Sequence, residues 1–142
     1  MPIYQCYSPK GLLTESAKAK IADEITTIHC NATGAPDLFV NVLFQEIPEG
    51  DCFVGRKPST HSYLMGFIRQ GRNLETRQEM LREFTRMWTR VTGQSEGEFL
   101  VGLSPSDPAN VMEFGLILPE SGHEPEWFDE NRASLAQLGV MH

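Results

Sequence analysis

The chain has 142 residues, 40% of them apolar and 22% charged, the composition of one soluble globular domain spanning 1–142. Its net charge of −7 speaks against a nucleic-acid surface, which needs a basic face, and no apolar run reaches the length of a membrane span. No secretory signal marks the N-terminus, and Cys6, Cys30 and Cys52 are odd in number without CxxC spacing, so reduced thiols in a cytoplasmic setting are expected.

Pro2 heads the first β-rich run, Ile3-Tyr4-Gln5-Cys6-Tyr7. Removal of Met1 would make Pro2 a free secondary amine. Its ring would hold that nitrogen in place, ready to act as a base when neutral or an acid when protonated. A merely tolerated start residue is the plain alternative. From Thr14 to Ala32 the apolar positions Ala17, Ile21, Ile25 and Ile28 fall at helical spacing, with Thr14 as cap and Gly34 as stop. His29 borders that stripe near the helix end, where the dipole favours the imidazolium as donor to an anion. A histidine capping the terminal carbonyls is the other reading.

Leu38 to Glu46 reads as a strand, and Pro48 to Ser59 as a connection in which Asp51 to Val54 adds a short strand. A further strand, Tyr63 to Phe67, leads into Ile68-Arg69-Gln70-Gly71-Arg72. The forked donors of Arg69 and Arg72 match a carboxylate in two-point contact, unless both are simply solvated. A second helix follows, capped by Asn73 and stopped at Gly93, with Leu74, Leu81, Phe84, Trp88 and Val91 as its stripe. Glu98 to Ser104 is again β-rich. Beyond Pro105 the spacing predicts a short helix over Asp107–Phe114 and an ordered tail over Pro119–Asp129. Glu113 stands among apolar neighbours, where a part-buried carboxylate handles protons with water; an exposed helix residue is the alternative. His123-Glu124-Pro125-Glu126-Trp127 lacks the second histidine of the HExxH motif, and Pro125 disfavours the helix that motif needs. No metal and no cofactor is expected.

Sliding the chain against itself by roughly sixty residues superposes these runs, so that Ile3–Tyr7 lies over Tyr63–Phe67 and Phe39–Leu43 over Phe99–Leu103. Gly11 then lies over Gly71. The expectation is an α+β fold: two β-α-β units, about 2–47 and 61–105, with a C-terminal tail over 106–142. They form a four-stranded mixed sheet with both helices on one face. The bare face needs cover, and an oligomer is the natural source.

These residues together resemble the tautomerase superfamily, and within it the cis-3-chloroacrylic acid dehalogenase-like group. The likeness runs through Pro2 and Ile25-Thr26-Thr27-Ile28-His29 ahead of Thr33-Gly34, then Asn41-Val42-Leu43-Phe44-Gln45-Glu46. It continues in Gly66-Phe67-Ile68-Arg69-Gln70-Gly71-Arg72, Met112-Glu113-Phe114-Gly115 and the tail Leu118 to Asp129. The resemblance implies Pro2 as proton-transfer group, with Arg69 and Arg72 binding and polarising a small carboxylate substrate. His29 would assist them and Glu113 would activate water. It also implies a homotrimer. One position departs from the group: the tyrosine that partners the glutamate falls at Gly102. Keto-enol tautomerisation, which needs only proline and an arginine, survives that loss better than hydration or dehalogenation. If Met1 stays in place, a non-catalytic carboxylate-binding or interaction protein of the same fold is the alternative.

Overall fold

The computed structural model describes residues 1–141. Strand β1 (Ile3–Pro9) leads through helix α1 (Glu15–Thr33) to β2 (Asn41–Ile47), and β5 (Ser62–Arg69) leads through α2 (Leu74–Thr92) to β6 (Phe99–Ser106). Between the halves, β3 (Phe53–Val54) and β4 (Lys57–Pro58) form a small hairpin. The sheet order is β2-β1-β5-β6, parallel within each half and antiparallel where β1 meets β5. This is the mixed four-stranded sheet expected from the repeat.

Each long helix starts and stops as its sequence dictates. Thr14 and Asn73 accept hydrogen bonds from the backbone N–H groups of Ala17 and Thr76, satisfying donors the first turn leaves free. Gly34 and Gly93 close the helices at φ 74° and φ 80°, a left-handed conformation that a Cβ disfavours.

Alternation along β1 turns Tyr4, Cys6 and Ser8 toward the helices, and β5 does the same with Leu64, Gly66 and Ile68. Against them α1 buries Ile21, Ile25 and His29, while α2 buries Met80, Phe84, Met87 and Trp88. The stripe expected on α2 is therefore rotated. Leu74 is exposed, and Met80 and Met87 take the inward positions instead. Leu74 is the first residue of α2, so it projects beyond the layer that the sheet covers. Gly66 has its own packing reason: a Cβ there would lie 2.5 Å from Cε1 of Tyr4, so the bare backbone lets that ring cross the sheet.

The other sheet face carries Leu43, Phe67 and Leu100, each about half exposed. Gly102 shares this face, and a Cβ built on it would meet the Met65 methyl at 3.2 Å.

The C-terminal third corrects two expectations. Asp107–Phe114 is not a helix. Asp107 caps a single 3₁₀ turn at Pro108–Asn110, followed by a hairpin of β7 (Met112–Glu113) and β8 (Leu116–Ile117). Phe114 at φ 57° and Gly115 at φ 74° make its two-residue turn, a left-handed pair that no helix accommodates. The tail is also more regular than expected, because α3 spans Glu124–Gln137. Pro125 lies in its first turn, where a missing N–H costs nothing. Around the hairpin and α3 a second apolar cluster forms from Met1, Phe39, Leu118, Trp127 and Leu135.

Candidate active site

Topology brings distant residues to one end of the sheet. Because β1 and β5 are antiparallel, with Ile3 opposite Phe67, the start of β1 lies beside the end of β5. Helix α1 runs back against β1, so its last turn, with His29, returns to the same end. Met1, Pro2, His29, Asn41 and Arg69 thus meet although sequence separates them widely.

At the head of β1 the Met1 ammonium donates to Glu113 Oε1. The second Glu113 oxygen accepts from Nδ2 of Asn41 at 3.1 Å. Asn41 also holds the neighbouring backbone: its N–H reaches the Pro2 carbonyl at 3.0 Å, and Nδ2 lies 3.2 Å from the same oxygen. One asparagine therefore couples the carboxylate on the β7–β8 hairpin to the N-terminal residues. Burial pushes the Met1 amine below its ordinary value, and its bond to Glu113 opposes that shift. The Met1 side chain is buried with Phe39, Leu118 and Trp127, next to a cleft of about 210 Å³ bordered by Asn41, Val111 and Glu113. A larger hollow, about 640 Å³, lies at the opposite end of the sheet beside Lys10, Ile47 and His61, away from all of these groups.

Arg69 and Arg72 are held by the segment before α3. Arg69 Nη1 donates to the Pro119 carbonyl at 3.1 Å and pairs with Glu124 Oε1 at 3.1 Å. Arg72 Nη1 donates to Ser121, and its Nη2 lies 4.0 Å from the same Glu124 oxygen. The Arg69 guanidinium also sits over the Phe39 ring, 5.2 Å from its centroid. Arg69 Nη2 and Arg72 Nε are buried with no hydrogen-bond partner among the described residues. Burial lowers the pKa of both arginines and Glu124 opposes it. Two buried cations with spare donors have the chemistry to hold an anion.

His29 behaves differently from the sequence expectation. It is buried, and Nδ1 lies 2.7 Å from the Tyr4 hydroxyl. Burial, then the charges of Arg72, Arg69 and the amino terminus, push its pKa down to about 3. The imidazolium expected from the helix dipole is overridden, because desolvation and two guanidinium groups outweigh partial charges at a helix end. Tyr4, itself deeply buried with a strongly raised pKa, keeps its proton and is able to donate to Nδ1. In the tautomer where Nδ1 accepts from Tyr4, the neutral ring carries its proton on Nε2 and is still a donor.

The linkage has a definite sign. The folded His29 value lies below the ordinary 6.5, so the unfolded chain takes up a proton first as pH falls. Stability is full above pH 6.5 and declines toward pH 3. The His29 contribution should fall by about 2 kcal/mol between pH 7 and pH 5. Urea unfolding of wild type and His29→Gln at both pH values checks this; parallel losses in the two proteins would refute it.

The five residues singled out by the sequence lie at this end: Pro2 by way of its neighbour Met1, together with His29, Arg69, Arg72 and Glu113. Tyr4, Asn41 and Glu124 were missed as site residues. Asn41 stood inside a quoted motif, and Glu124 inside the string read for a metal, but no spacing rule links either to its partner. Among the described residues no cluster of metal-ligating side chains occurs.

Residues 1–132 match the family described as "Putative oxalocrotonate tautomerase enzyme". The chain belongs to this tautomerase family. The structure of native Ps01740 is similar, at 35% identity over 78% of this chain and 99% of that one, with a TM-score of 0.76. So is N1, described as a member of the cis-3-chloroacrylic acid dehalogenase family, at 27% identity over 98% and 99% of the two chains and a TM-score of 0.90. A fused 4-OT wild-type symmetric trimer shares the fold, at 16% identity over 78% of this chain and 90% of that one and a TM-score of 0.73. No curated protein matches the chain. Membership of the tautomerase superfamily and likeness to its dehalogenase-like group therefore stand as expected from the motifs. No helix among the described residues is long and apolar enough to cross a membrane.

Proposed function

We propose that the chain, once Met1 is removed, is a proton-transfer enzyme acting on small unsaturated or enolisable carboxylic acids. One observation carries the reading. An N-terminal amine in hydrogen-bond contact with Glu113 lies at the sheet end that holds two buried arginines with unpaired donors.

The roles follow from that chemistry. Arg69 and Arg72 bind the substrate carboxylate and draw electrons toward it. The Nε2–H of neutral His29 supplies a further donor. The Pro2 amine moves a proton to or from the α-carbon, in surroundings that already depress the amine standing one residue away. Glu113, steadied by Asn41, takes a proton from water where hydration occurs. Gly102 offers no hydroxyl to share that task, so tautomerisation is favoured over hydration or dehalogenation.

The exposed apolar residues Leu43, Phe67 and Leu100 on one sheet face support a homotrimer, as in the fused 4-OT trimer of the same fold. The three free cysteines, Cys6, Cys30 and Cys52, support a cytoplasmic setting.

The assay uses Met1-free protein with phenylenolpyruvate and with short acetylenic or haloacrylic acids. Turnover of the enol acid that is lost in Pro2→Ala is the expected result. Absence of turnover with every acid sinks the enzyme reading. A second reading has one specific support, the burial of Met1 in the second apolar cluster, which would keep the Pro2 nitrogen an amide. It predicts carboxylate binding that depends on Arg69, without turnover even after Met1 is removed.

A further inference from the structure

Glu124 is the one acidic side chain paired with both arginines, and its position asks for a reason. All three side chains are largely withdrawn from water: 1% exposed for Arg69, 10% for Arg72 and 14% for Glu124. A single Glu124 oxygen serves both guanidinium groups, at 3.1 Å and 4.0 Å. The cluster therefore carries two positive charges and one negative, a net charge of one. Two of its nitrogens, Arg69 Nη2 and Arg72 Nε, are buried without a hydrogen-bond partner among the described residues and carry N–H groups for a carboxylate. Glu113, whose charge reaches Arg69, adds a second acid at this end of the sheet.

We propose that Glu124 sets the charge specificity of the arginine pair, restricting the site to acids that carry a single carboxylate. The inference rests on the reading of Arg69 and Arg72 as the substrate-carboxylate site. One carboxylate neutralises the cluster and satisfies its vacant donors. A second carboxylate on the same ligand finds no uncompensated cation and faces Glu113 and Glu124. Without Glu124 the pair would present two full charges and accept a dianion. Selection against the wrong ligand by a placed like charge is a general device of recognition.

The test compares crotonate with fumarate, four-carbon trans acids that differ in whether the far end is a methyl or a carboxylate. Dissociation constants are read by NMR titration of the full Met1-free chain at fixed ionic strength and pH 7. Wild type is expected to prefer crotonate, and Glu124→Gln to shift the ratio toward fumarate by about tenfold, one elementary charge having been removed from a poorly solvated site. Glu124→Asp, which keeps the charge, should restore most of the wild-type ratio. An unchanged ratio in Glu124→Gln overturns the proposal. So does an equal gain for both acids, which would make Glu124 a competing occupant of the arginines. An equal loss for both, with a lowered Tm, would make it a structural brace only. If wild type binds neither acid, the carboxylate-site reading fails and the proposal falls with it.

Discussion

Protein beginning at Pro2 is expected to turn over phenylenolpyruvate at least about a hundredfold faster than protein that keeps Met1, the lower end of what a positioned acid or base contributes. Two physical effects act together. An acylated proline nitrogen has no basic lone pair and no proton to give, so the retained form lacks the group altogether. The Met1 side chain also occupies buried space beside Phe39, Leu118 and Trp127, and its amine occupies one oxygen of Glu113. Intact-mass measurement identifies each form, and steady-state kinetics on both gives the ratio. Equal rates would remove Pro2 from the mechanism.

The same comparison has a stability arm of opposite sign. Met1 is 3% exposed, and burying such a side chain contributes about 1.5–3 kcal/mol. The Met1-retaining form should therefore be the more resistant to urea and the less active. Activity here would come at the expense of packing, as is common where a site needs open space.

Arg69→Met is the second large effect. Arg69 is 2% exposed, donates to the Pro119 carbonyl, pairs with Glu124 and lies over Phe39. Removing its charge leaves the Glu124 carboxylate, in a poorly solvated place, with only the longer 4.0 Å contact to Arg72. A loss of about 3–5 kcal/mol is expected, the usual consequence of breaking a buried ion pair from one side. Methionine retains most of the stem, so the loss reports the charge more than the volume. The double variant Arg69→Met with Glu124→Gln should recover part of it, since the second change removes a carboxylate left with only its longer contact to Arg72. Arg82→Ala provides the contrast: that exposed residue pairs with Glu79 and should cost no more than about 1 kcal/mol. Urea unfolding of wild type, Arg69→Met, Glu124→Gln, the double variant and Arg82→Ala decides. If the double variant simply adds the two single losses, the pair is not coupled and the explanation fails.

Much of the scaffold was legible because it depends on local rules. Thr14 and Asn73 before apolar stripes, and Gly34 and Gly93 after them, mark helix ends by hydrogen-bond chemistry that acts over a few residues. The shared offset between Ile3–Tyr7 and Tyr63–Phe67 signalled a duplicated unit. The stretch Asp107–Phe114 was misread as a helix, whereas it holds a 3₁₀ turn and the first strand of a hairpin that turns at Phe114 with positive φ. Leu74 was misplaced because periodicity names a face and not where the neighbouring layer ends.

The candidate site divides along the same line. Residue type was enough to single out Pro2, Arg69, Arg72, Glu113 and His29, because an amine, forked cations, an acid among apolar neighbours and an imidazole each carry chemistry wherever they stand. Their states were not legible. His29 reads as a cation from its helix position, yet burial and two guanidinium groups make it neutral, with Nδ1 in a hydrogen bond to Tyr4. Asn41 and Glu124 carry no signal of their own, since each matters only through a partner far away in the chain, Glu113 for one and Arg69 for the other.

By itself, then, the sequence determined the family, the repeated β-α-β plan and the chemical kinds of group available, all properties that local spacing and residue identity can encode. Tertiary structure alone decided which charges face each other, that His29 is neutral, and that Met1 fills the space beside the nitrogen on which the proposed chemistry depends. Those follow from desolvation and from distances across the antiparallel β1–β5 pair, and neither quantity is defined until the chain has folded.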